Sequence, residues 1–465
     1  MVFSSLTFLF AYLPAVLAVY YAVKPEWRNP VLFLASLFFY GWGEPVYILV
    51  MLFSIIVNYL AAAGIFRFRN TDKSRAKRIL LLCIVVNIAI LGFFKYWDFI
   101  AGNLNALGIK AIRPLRLGLP IGISFYTFQA MSYPIDVWQG KTEPQKDMVS
   151  FGAYVTMFPQ LIAGPIVRYT DIAAQLNKRK ENQDQFTRGI CRFTAGLSKK
   201  VLLANNAGRI WESVSSLPLS EISTLTAWTG IIAFAFQIYF DFSGYSDMAI
   251  GLGKMFGFDF PENFNYPYIS RSITEFWRRW HMSLSYWFRD YVYIPLGGNR
   301  KGIRRQILNI LIVWILTGFW HGASWNFVLW GLMYGIILIF EKVFLLKKLA
   351  KCPGWICRLY TMVIVLTTWV LFAFTDIGAG LSYLKLMFFG AARFTDGLAV
   401  YYLRNNILLF VLCIASSIPV AESLCSFLRK QKLDIVYPLL VLGALFLCTA
   451  FITDASYNPF LYFRF

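Results

Sequence analysis

Long uncharged apolar runs recur along the whole chain, and they constrain its fold more than any other feature. Several approach the ~20 residues that a helix needs to cross ~30 Å of hydrocarbon. A mean hydropathy of +0.57 with only 15% charged residues also lies outside the soluble globular class. We therefore predict an all-α polytopic membrane protein with about 9 to 12 membrane-embedded helices, from the runs at 5–23, 31–43, 46–66, 79–94, 225–240, 307–320, 325–340, 359–375, 405–420 and 434–453.

The net charge of +20 is distributed in a way that predicts topology rather than nucleic-acid binding. Its basic residues cluster in the loops between apolar runs, and loops rich in Lys and Arg stay in the cytoplasm. The first run lacks the basic start of a cleavable signal, so we expect it to remain as a helix with an outside N-terminus. The predicted inside stretches are Lys24 to Arg28, Arg67 to Arg78, Lys178 to Lys200, Arg271 to Arg305, Lys342 to Arg358 and Arg429 to Lys432.

Two regions depart from simple crossings. Segments 119–138 and 149–166 connect an outside end to an inside loop. Only an odd number of crossings can join the two sides, so one of the two segments must enter the membrane and return to the same side. The Gly-Pro break in LIAGPI, 161–166, favours that piece as re-entrant, which requires burial in protein or a wet cavity. The block 259–305 mixes aromatic and arginine residues without a spanning run. It predicts amphipathic helices at the cytoplasmic face.

The chain contains only two histidines, His281 and His321, which narrows the candidates for proton transfer at neutral pH. His321 lies in FWHGASW, between two apolar runs. Because the stretches on both sides of these runs are basic and therefore cytoplasmic, the first run should cross outwards and the second should return. The upward run, 307–320, rises only about 21 Å, so we expect His321 within the thickness of the membrane. His281, in FWRRWHMSLS, fits either an interface anchor or a functional residue.

Two carboxylates interrupt the apolar segment 237–251. Asp241 and Asp247 are costly to bury unless they are paired. The arginines at 278 and 279 are possible partners, and a role towards substrate is the alternative. The seven cysteines show no CxxC pair and no zinc-ligand spacing, so neither a metal site nor a disulfide framework is predicted. GGNRKG at 297–302 lacks the spacing of a phosphate-binding P-loop.

Longer motifs resemble a known family. The sequence RSITEFWRRWHMSLS at 271–285, LGGNRKG at 296–302, GFWHGASWNFVLWG at 318–331 and DFSGYSDMAIG at 241–251 resemble the membrane-bound O-acyltransferase superfamily, within it the alginate O-acetyltransferase branch. LPIGISFYTFQAMSYPIDV at 119–137, LIAGPIVRY at 161–169 and the ending NPFLYFRF at 458–465 extend this resemblance. It implies one membrane domain over 1–465, with N-terminal helices in 1–100, a catalytic core in 119–345 and C-terminal helices in 355–465, and with a tunnel through a thin centre.

The resemblance also implies site residues. It assigns the catalytic histidine to His321 and the second motif position to His281. Acyl transfer needs a base for the attacking hydroxyl, which a neutral imidazole supplies, and donors for the developing oxyanion. The candidate residues near substrate or tunnel are Ser324, Asn326, Trp320, Trp325, Asp241 and Asp247, and those for the phosphates of a cytoplasmic donor are Arg278, Arg279, Arg300 and Lys301.

The activity that the resemblance implies is transfer of an acetyl group from a cytoplasmic thioester to an exopolysaccharide outside a bacterial cell membrane. The donor is acetyl-CoA or an acylated carrier protein, no cofactor is bound, and a separate exoplasmic acetyl-carrying or acetylating protein is expected. Acetylation of peptidoglycan and D-alanylation of teichoic acid are alternatives. From other classes, a transporter gated by His321 and a noncatalytic export scaffold remain open.

Overall fold

The computed structural model describes residues 1–109, 112–390, 393–420, 436–454 and 457–461. These residues form helices and connecting loops, and they contain no β-strand. The predicted all-α class is therefore confirmed. The stretch from Arg429 to Lys432 and the last four residues of NPFLYFRF lie outside the described residues, as do residues 434 and 435 of the last apolar run.

The protein is a multi-pass membrane protein. Six helices of the described part are long and apolar enough to cross a bilayer, and there are seven if a pair bent by 61° at Asn406 counts as one span. The second helix of this pair lies within the predicted apolar run 405–420. The six are Ile48–Phe68, Lys73–Ala106, Thr224–Met255, Gly302–His321, Trp325–Leu349 and Gly354–Ala373; the bent pair is Gly397–Asn405 and Ile407–Ser416; shorter apolar helices are Phe8–Ala22, Ile377–Phe389 and Pro438–Asp454.

The described residues group into two compact units. The first comprises Met1–Phe193 and Ser246–Pro261, and the second Thr194–Tyr245 and Glu262–Phe465. Besides spanning helices, the first contains Arg28–Gly41, Ile123–Trp138, Met148–Thr156, Phe158–Leu161 and Tyr169–Asn177. The second contains Asn205–Ser215, Ile273–Arg279 and Met282–Phe288, and Gln183–Ser198 contributes residues to both.

A reciprocal amide pair joins two membrane helices of the first unit. Asn58, on Ile48–Phe68, donates to Asn87 Oδ1 at 3.0 Å, and Asn87, on Lys73–Leu91, donates to Asn58 Oδ1 at 3.2 Å. Both side chains are almost completely buried. Polar side chains that bond across helices in this way hold membrane helices together where the hydrophobic effect gives no preference.

Replacing Asn87 by leucine is expected to lower the free energy of unfolding by about 1 kcal/mol, because Asn58 then loses its amide partner on the other helix and keeps only its contacts with Ser54 and Cys83. The double variant Asn58→Leu/Asn87→Leu should recover much of that loss, since neither buried amide is then left without the other. Denaturation of the three proteins in detergent micelles checks both. Equal stability of the Asn87→Leu variant and the wild type would show that the pair contributes nothing.

The chain leaves helical conformation at residue 162, after two short helices, Met148–Thr156 and Phe158–Leu161. The longer has nine residues and rises only about 13 Å, and residues 157–167 are all buried. Irregular backbone at membrane depth requires such burial. The features agree with the re-entrant assignment of 161–166, which stays a prediction.

In the second unit, the two helices that flank His321 pack closely. Gly318 on Gly302–His321 faces Gly331 on Trp325–Phe340, and a Cβ on either glycine would collide with the backbone of the other helix. Small residues at a helix interface permit this approach. The chain turns between the helices at Gly322, so the predicted joint after His321 is confirmed.

His321 ends a longer helix than its apolar run predicts. The first of these helices begins at Gly302 and has 20 residues, so it rises about 30 Å rather than 21 Å. The apolar run does not include the first turn of the helix, because Arg304 and Arg305 are charged. Arginine nevertheless has a high helix propensity. Helix length therefore no longer places His321 below the outer surface.

The predicted block 259–305 contains only short helices up to residue 301, and its last four residues begin the spanning helix Gly302–His321. Ile273–Arg279 and Met282–Phe288 have seven residues each. The aromatic side chains Phe276, Trp277 and Trp280 belong to the buried core of the second unit, whereas Arg271 and Arg278 are exposed. One buried and one exposed side agree with the predicted amphipathic character, and the position at the cytoplasmic face stays a prediction.

Candidate active site

His321 ends its helix with the imidazole enclosed by aromatic rings. The side chain is 5% exposed. Its ring centroid lies 5.1 Å from Trp330, 5.3 Å from Phe372 and 5.1 Å from Trp320, in each case nearly perpendicular. Edge-to-face contacts of this kind restrict ring rotation. His321 is thus a buried base held in an apolar setting.

His281 occupies a strained position immediately before the Met282–Phe288 helix. Its φ of +46° is in the left-handed region, which few residues other than glycine adopt. The side chain is 1% exposed, and its ring packs edge-on against Phe242 at 4.6 Å. This burial excludes the interface-anchor interpretation. Strain of this kind persists only where the surroundings enforce it.

An asparagine that the sequence analysis did not single out contacts His281. The Oδ1 atom of Asn263 lies 3.2 Å from Nδ1 of His281. The same oxygen accepts hydrogen bonds from the backbone N–H and the hydroxyl of Ser283. Asn263 is fully buried. Nothing in the spacing of the two residues, 18 apart in a loop and a helix start, signals this contact.

Trp320 connects the two histidines, because its ring lies 5.1 Å from His321 and 5.8 Å from His281. His281 is outside the membrane-spanning helices. Burial lowers the pKa of His281 well below its usual range, and positive charge on the nearby His321 would lower that pKa further. His281 is therefore a neutral imidazole at pH 7. The structure brings together the two histidines and one predicted tryptophan.

A cavity of about 250 Å³ opens beside His281 in the second unit. The predicted donor-binding residue Arg278 is part of its wall, as is Thr317, one helical turn before His321. Apolar and aromatic side chains form most of the rest, including Trp277 and Trp314. A mostly apolar cavity with a few polar groups is typical of a small-molecule site.

The other predicted donor-binding residues lie outside this wall. Arg279 pairs with Glu275 at 2.9 Å and donates to the carbonyl of Asn265. Arg300 and Lys301 are exposed in the turn before the Gly302–His321 helix. Of the four predicted cations, Arg278 is the one that the structure places at the cavity.

The residues after His321 are divided between interior and surface. Asn326 is 1% exposed and donates to the Leu371 carbonyl at 3.2 Å. Ser324 is partly buried at the start of the Trp325–Phe340 helix. Trp325 is 51% exposed, so its ring faces away from the buried site. Helical geometry explains the split, since successive residues project to different faces.

Asp241 and Asp247 are both paired, as the structural interpretation expected, but their partners are not Arg278 and Arg279. Asp241 forms a 2.6 Å ion pair with Lys200, and both side chains are nearly inaccessible. Asp247 pairs with Arg192 at 2.6 Å. Sequence spacing does not encode these tertiary partners.

Glu341 is a second residue whose role the sequence does not reveal. This fully buried carboxylate accepts hydrogen bonds from the backbone N–H groups of Ile273 and Thr274 and from the Thr274 hydroxyl. It thereby satisfies the first turn of the Ile273–Arg279 helix, where a negative charge is favourable. That helix carries Trp277 and Arg278 to the cavity wall.

The fold and this site define a polytopic helical membrane protein with two buried histidines, of which His281 lines a cavity. A model of the membrane-bound O-acyltransferase family matches residues 142–377. The chain belongs to this family and is a membrane-bound acyltransferase. The transporter and scaffold interpretations are thereby set aside.

Three relatives share most of the chain. It is 43% identical to the probable alginate O-acetylase AlgI of Azotobacter vinelandii, over 80% of this chain and 75% of the relative. It is 41% identical to the protein of that name from Pseudomonas aeruginosa, over 85% and 76%. It is 34% identical to a peptidoglycan O-acetyltransferase of Helicobacter pylori, over 83% and 80%.

Proposed function

We propose that this protein is an O-acetyltransferase that moves an acetyl group from a cytoplasmic thioester across a bacterial cell membrane, for O-acetylation of an exopolysaccharide such as alginate. The observation that carries this proposal is the 41–43% identity to probable alginate O-acetylases over most of the chain. The donor is acetyl-CoA or an acylated carrier protein. The acceptor side includes a separate acetyl-carrying or acetylating protein.

In the proposed reaction, His321 is the general base. A hydroxyl group loses its proton to the imidazole as its oxygen attacks the thioester carbonyl, and the thiolate leaves after collapse of the tetrahedral intermediate. The enclosing rings of Trp330 and Phe372 support this role, because their edge-to-face contacts hold the imidazole in one orientation. Asn326, Ser324 and His281 are the candidate polar helpers in this reaction.

Peptidoglycan is the second candidate acceptor, supported by the 34% identity to the Helicobacter enzyme. D-Alanyl transfer to teichoic acid is a third reaction within the same family, with a different acyl group. The higher identity to the alginate enzymes favours the exopolysaccharide. All three place the acceptor outside the cell.

Inverted membrane vesicles test the acceptor and the direction of transfer. Acetyl-CoA with a radiolabelled acetyl group is added outside, which is the cytoplasmic face, and alginate or peptidoglycan fragments are enclosed with the periplasmic extract. The proposal predicts label on enclosed alginate. Label on peptidoglycan alone would mean that peptidoglycan, and not alginate, is the acceptor. Label confined to the outer medium would contradict transfer across the membrane.

Arg278 provides a test of the donor site. Its position in the cavity wall predicts that Arg278→Ala raises KM for acetyl-CoA about tenfold, since a lost charge-assisted contact to phosphate costs about 1.4 kcal/mol or more. The matched control is Arg300→Ala, because Arg300 is exposed and outside that wall. Initial rates against acetyl-CoA concentration distinguish the two. Equal KM values for both variants would remove Arg278 from the donor site.

A further inference from the structure

The orientation of the Asn263 side chain is fixed by a backbone donor. The N–H of Ser283 points to Oδ1 at 3.2 Å, and the Ser283 hydroxyl lies 2.9 Å from the same atom. A backbone N–H can only donate, so the side-chain atom that it reaches must be the oxygen and not the amide nitrogen. The ambiguity that usually accompanies an asparagine side chain is therefore absent here.

The same oxygen determines which nitrogen of His281 carries the proton. Nδ1 lies 3.2 Å from Oδ1, and an oxygen acceptor can bond to Nδ1 only if that nitrogen carries a hydrogen. A neutral imidazole has one N–H group. Nε2 is then the nitrogen with the lone pair.

The backbone around this contact holds the two residues in register. The Asn263 carbonyl accepts a hydrogen bond from the Met282 N–H at 2.9 Å, and the Asn265 N–H donates to the Arg279 carbonyl at 2.9 Å. Backbone hydrogen bonds thus join the two chain segments on both sides of His281. These bonds explain how the left-handed backbone of His281 is maintained.

We propose that Asn263 is a positioning residue that holds His281 in the tautomer with the proton on Nδ1, which leaves the lone pair on Nε2 as the hydrogen-bond acceptor of the ring. The catalytic role of this arrangement rests on the proposed function, whereas the assignment of the tautomer does not. With Nε2 as an acceptor, His281 can orient or deprotonate a hydroxyl group, whereas it cannot donate to an oxyanion through that nitrogen while neutral.

Nitrogen NMR measures the tautomer directly, because the chain has only two histidines. Protein labelled with ¹⁵N-histidine is examined in nanodiscs at pH 7, and the signals of His281 are assigned by their loss in His281→Gln. We expect a directly bound proton on Nδ1 and an unprotonated Nε2. A proton on Nε2, on both nitrogens, or exchanging between them would overturn the proposal.

Variants show whether Asn263 causes this preference. Asn263→Leu should produce a mixture of tautomers and lower kcat roughly 10- to 100-fold, by analogy with the loss of partners that orient an imidazole. Asn263→Asp retains an acceptor oxygen and should retain the Nδ1 proton. The matched control is Asn265→Leu, because Asn265 is exposed two residues away and should leave the tautomer unchanged.

The outcomes separate this proposal from the proposed function. If the wild type shows the expected tautomer but turns over neither acetyl-CoA nor an acylated carrier protein, the proposed function fails and the tautomer stands. If Asn263→Leu retains either the single tautomer or full kcat, Asn263 is not the positioning residue. If Asn263→Leu does not fold, the wild-type spectrum and that of Asn263→Asp still decide the question.

Discussion

Replacing His321 by alanine is expected to lower acetyl transfer about 10²- to 10⁴-fold, the usual contribution of a positioned general base. The imidazole is enclosed by Trp320, Trp330 and Phe372, which leaves few other groups able to accept the hydroxyl proton. The measurement is acetyl transfer from radiolabelled acetyl-CoA by purified protein in lipid nanodiscs. KM for the donor should change much less than kcat.

The control for this experiment is His281→Ala, with thermal unfolding curves to match the folded fraction of each variant. Because both rings contact Trp320, a general disturbance of packing would affect the two variants alike. Loss of turnover that is greater for His321→Ala supports His321 as the base. Full activity without His321 would exclude it, and a selective loss in His281→Ala would transfer the role to His281.

Breaking the Lys200–Asp241 ion pair is expected to have the largest effect on stability. Both side chains are within a few per cent of complete burial. Removal of one partner from a buried pair typically costs about 3–5 kcal/mol, because the remaining charge is left without compensation. Asp241 also accepts the backbone N–H of Leu461, and Lys200 donates to the Pro459 carbonyl. The variant Asp241→Leu should therefore be poorly folded.

The double variant Lys200→Met/Asp241→Leu distinguishes a structural role from a substrate role for Asp241. It removes both charges, so it should regain most of the stability that Asp241→Leu loses. Denaturation in detergent and the yield of folded protein measure the recovery. If the double variant is folded yet inactive, Asp241 acts on substrate; if Asp241→Leu is as stable as the wild type, the pair does not support the fold.

Hydropathy predicted helices well where the apolar run and the helix share their limits. The run 46–66 corresponds to Ile48–Phe68, and the run 325–340 to Trp325–Phe340. It failed where a helix continues into polar residues, because helical hydrogen bonding depends on the backbone and not on hydropathy. Thr224–Met255 continues through Asp241 and Asp247 for this reason.

The site was only partly visible in the sequence. His281 and His321 could be selected because they are the two histidines and because their motifs resemble a family. Asn263, Glu341 and Lys200 gave no such signal, since each acts through a partner distant in the chain. Periodicity indicates that a face is buried, but it does not identify what lies against it.

Turnover of acetyl-CoA by the purified wild-type protein in lipid nanodiscs tests the central claim most directly. The account predicts release of labelled acetyl groups to water or to an added acceptor, dependent on His321. An inactive wild type that instead uses an acylated carrier protein would contradict the acetyl-CoA donor and favour D-alanyl-type chemistry. Absence of turnover with either thioester would contradict the proposed acetyl transfer itself.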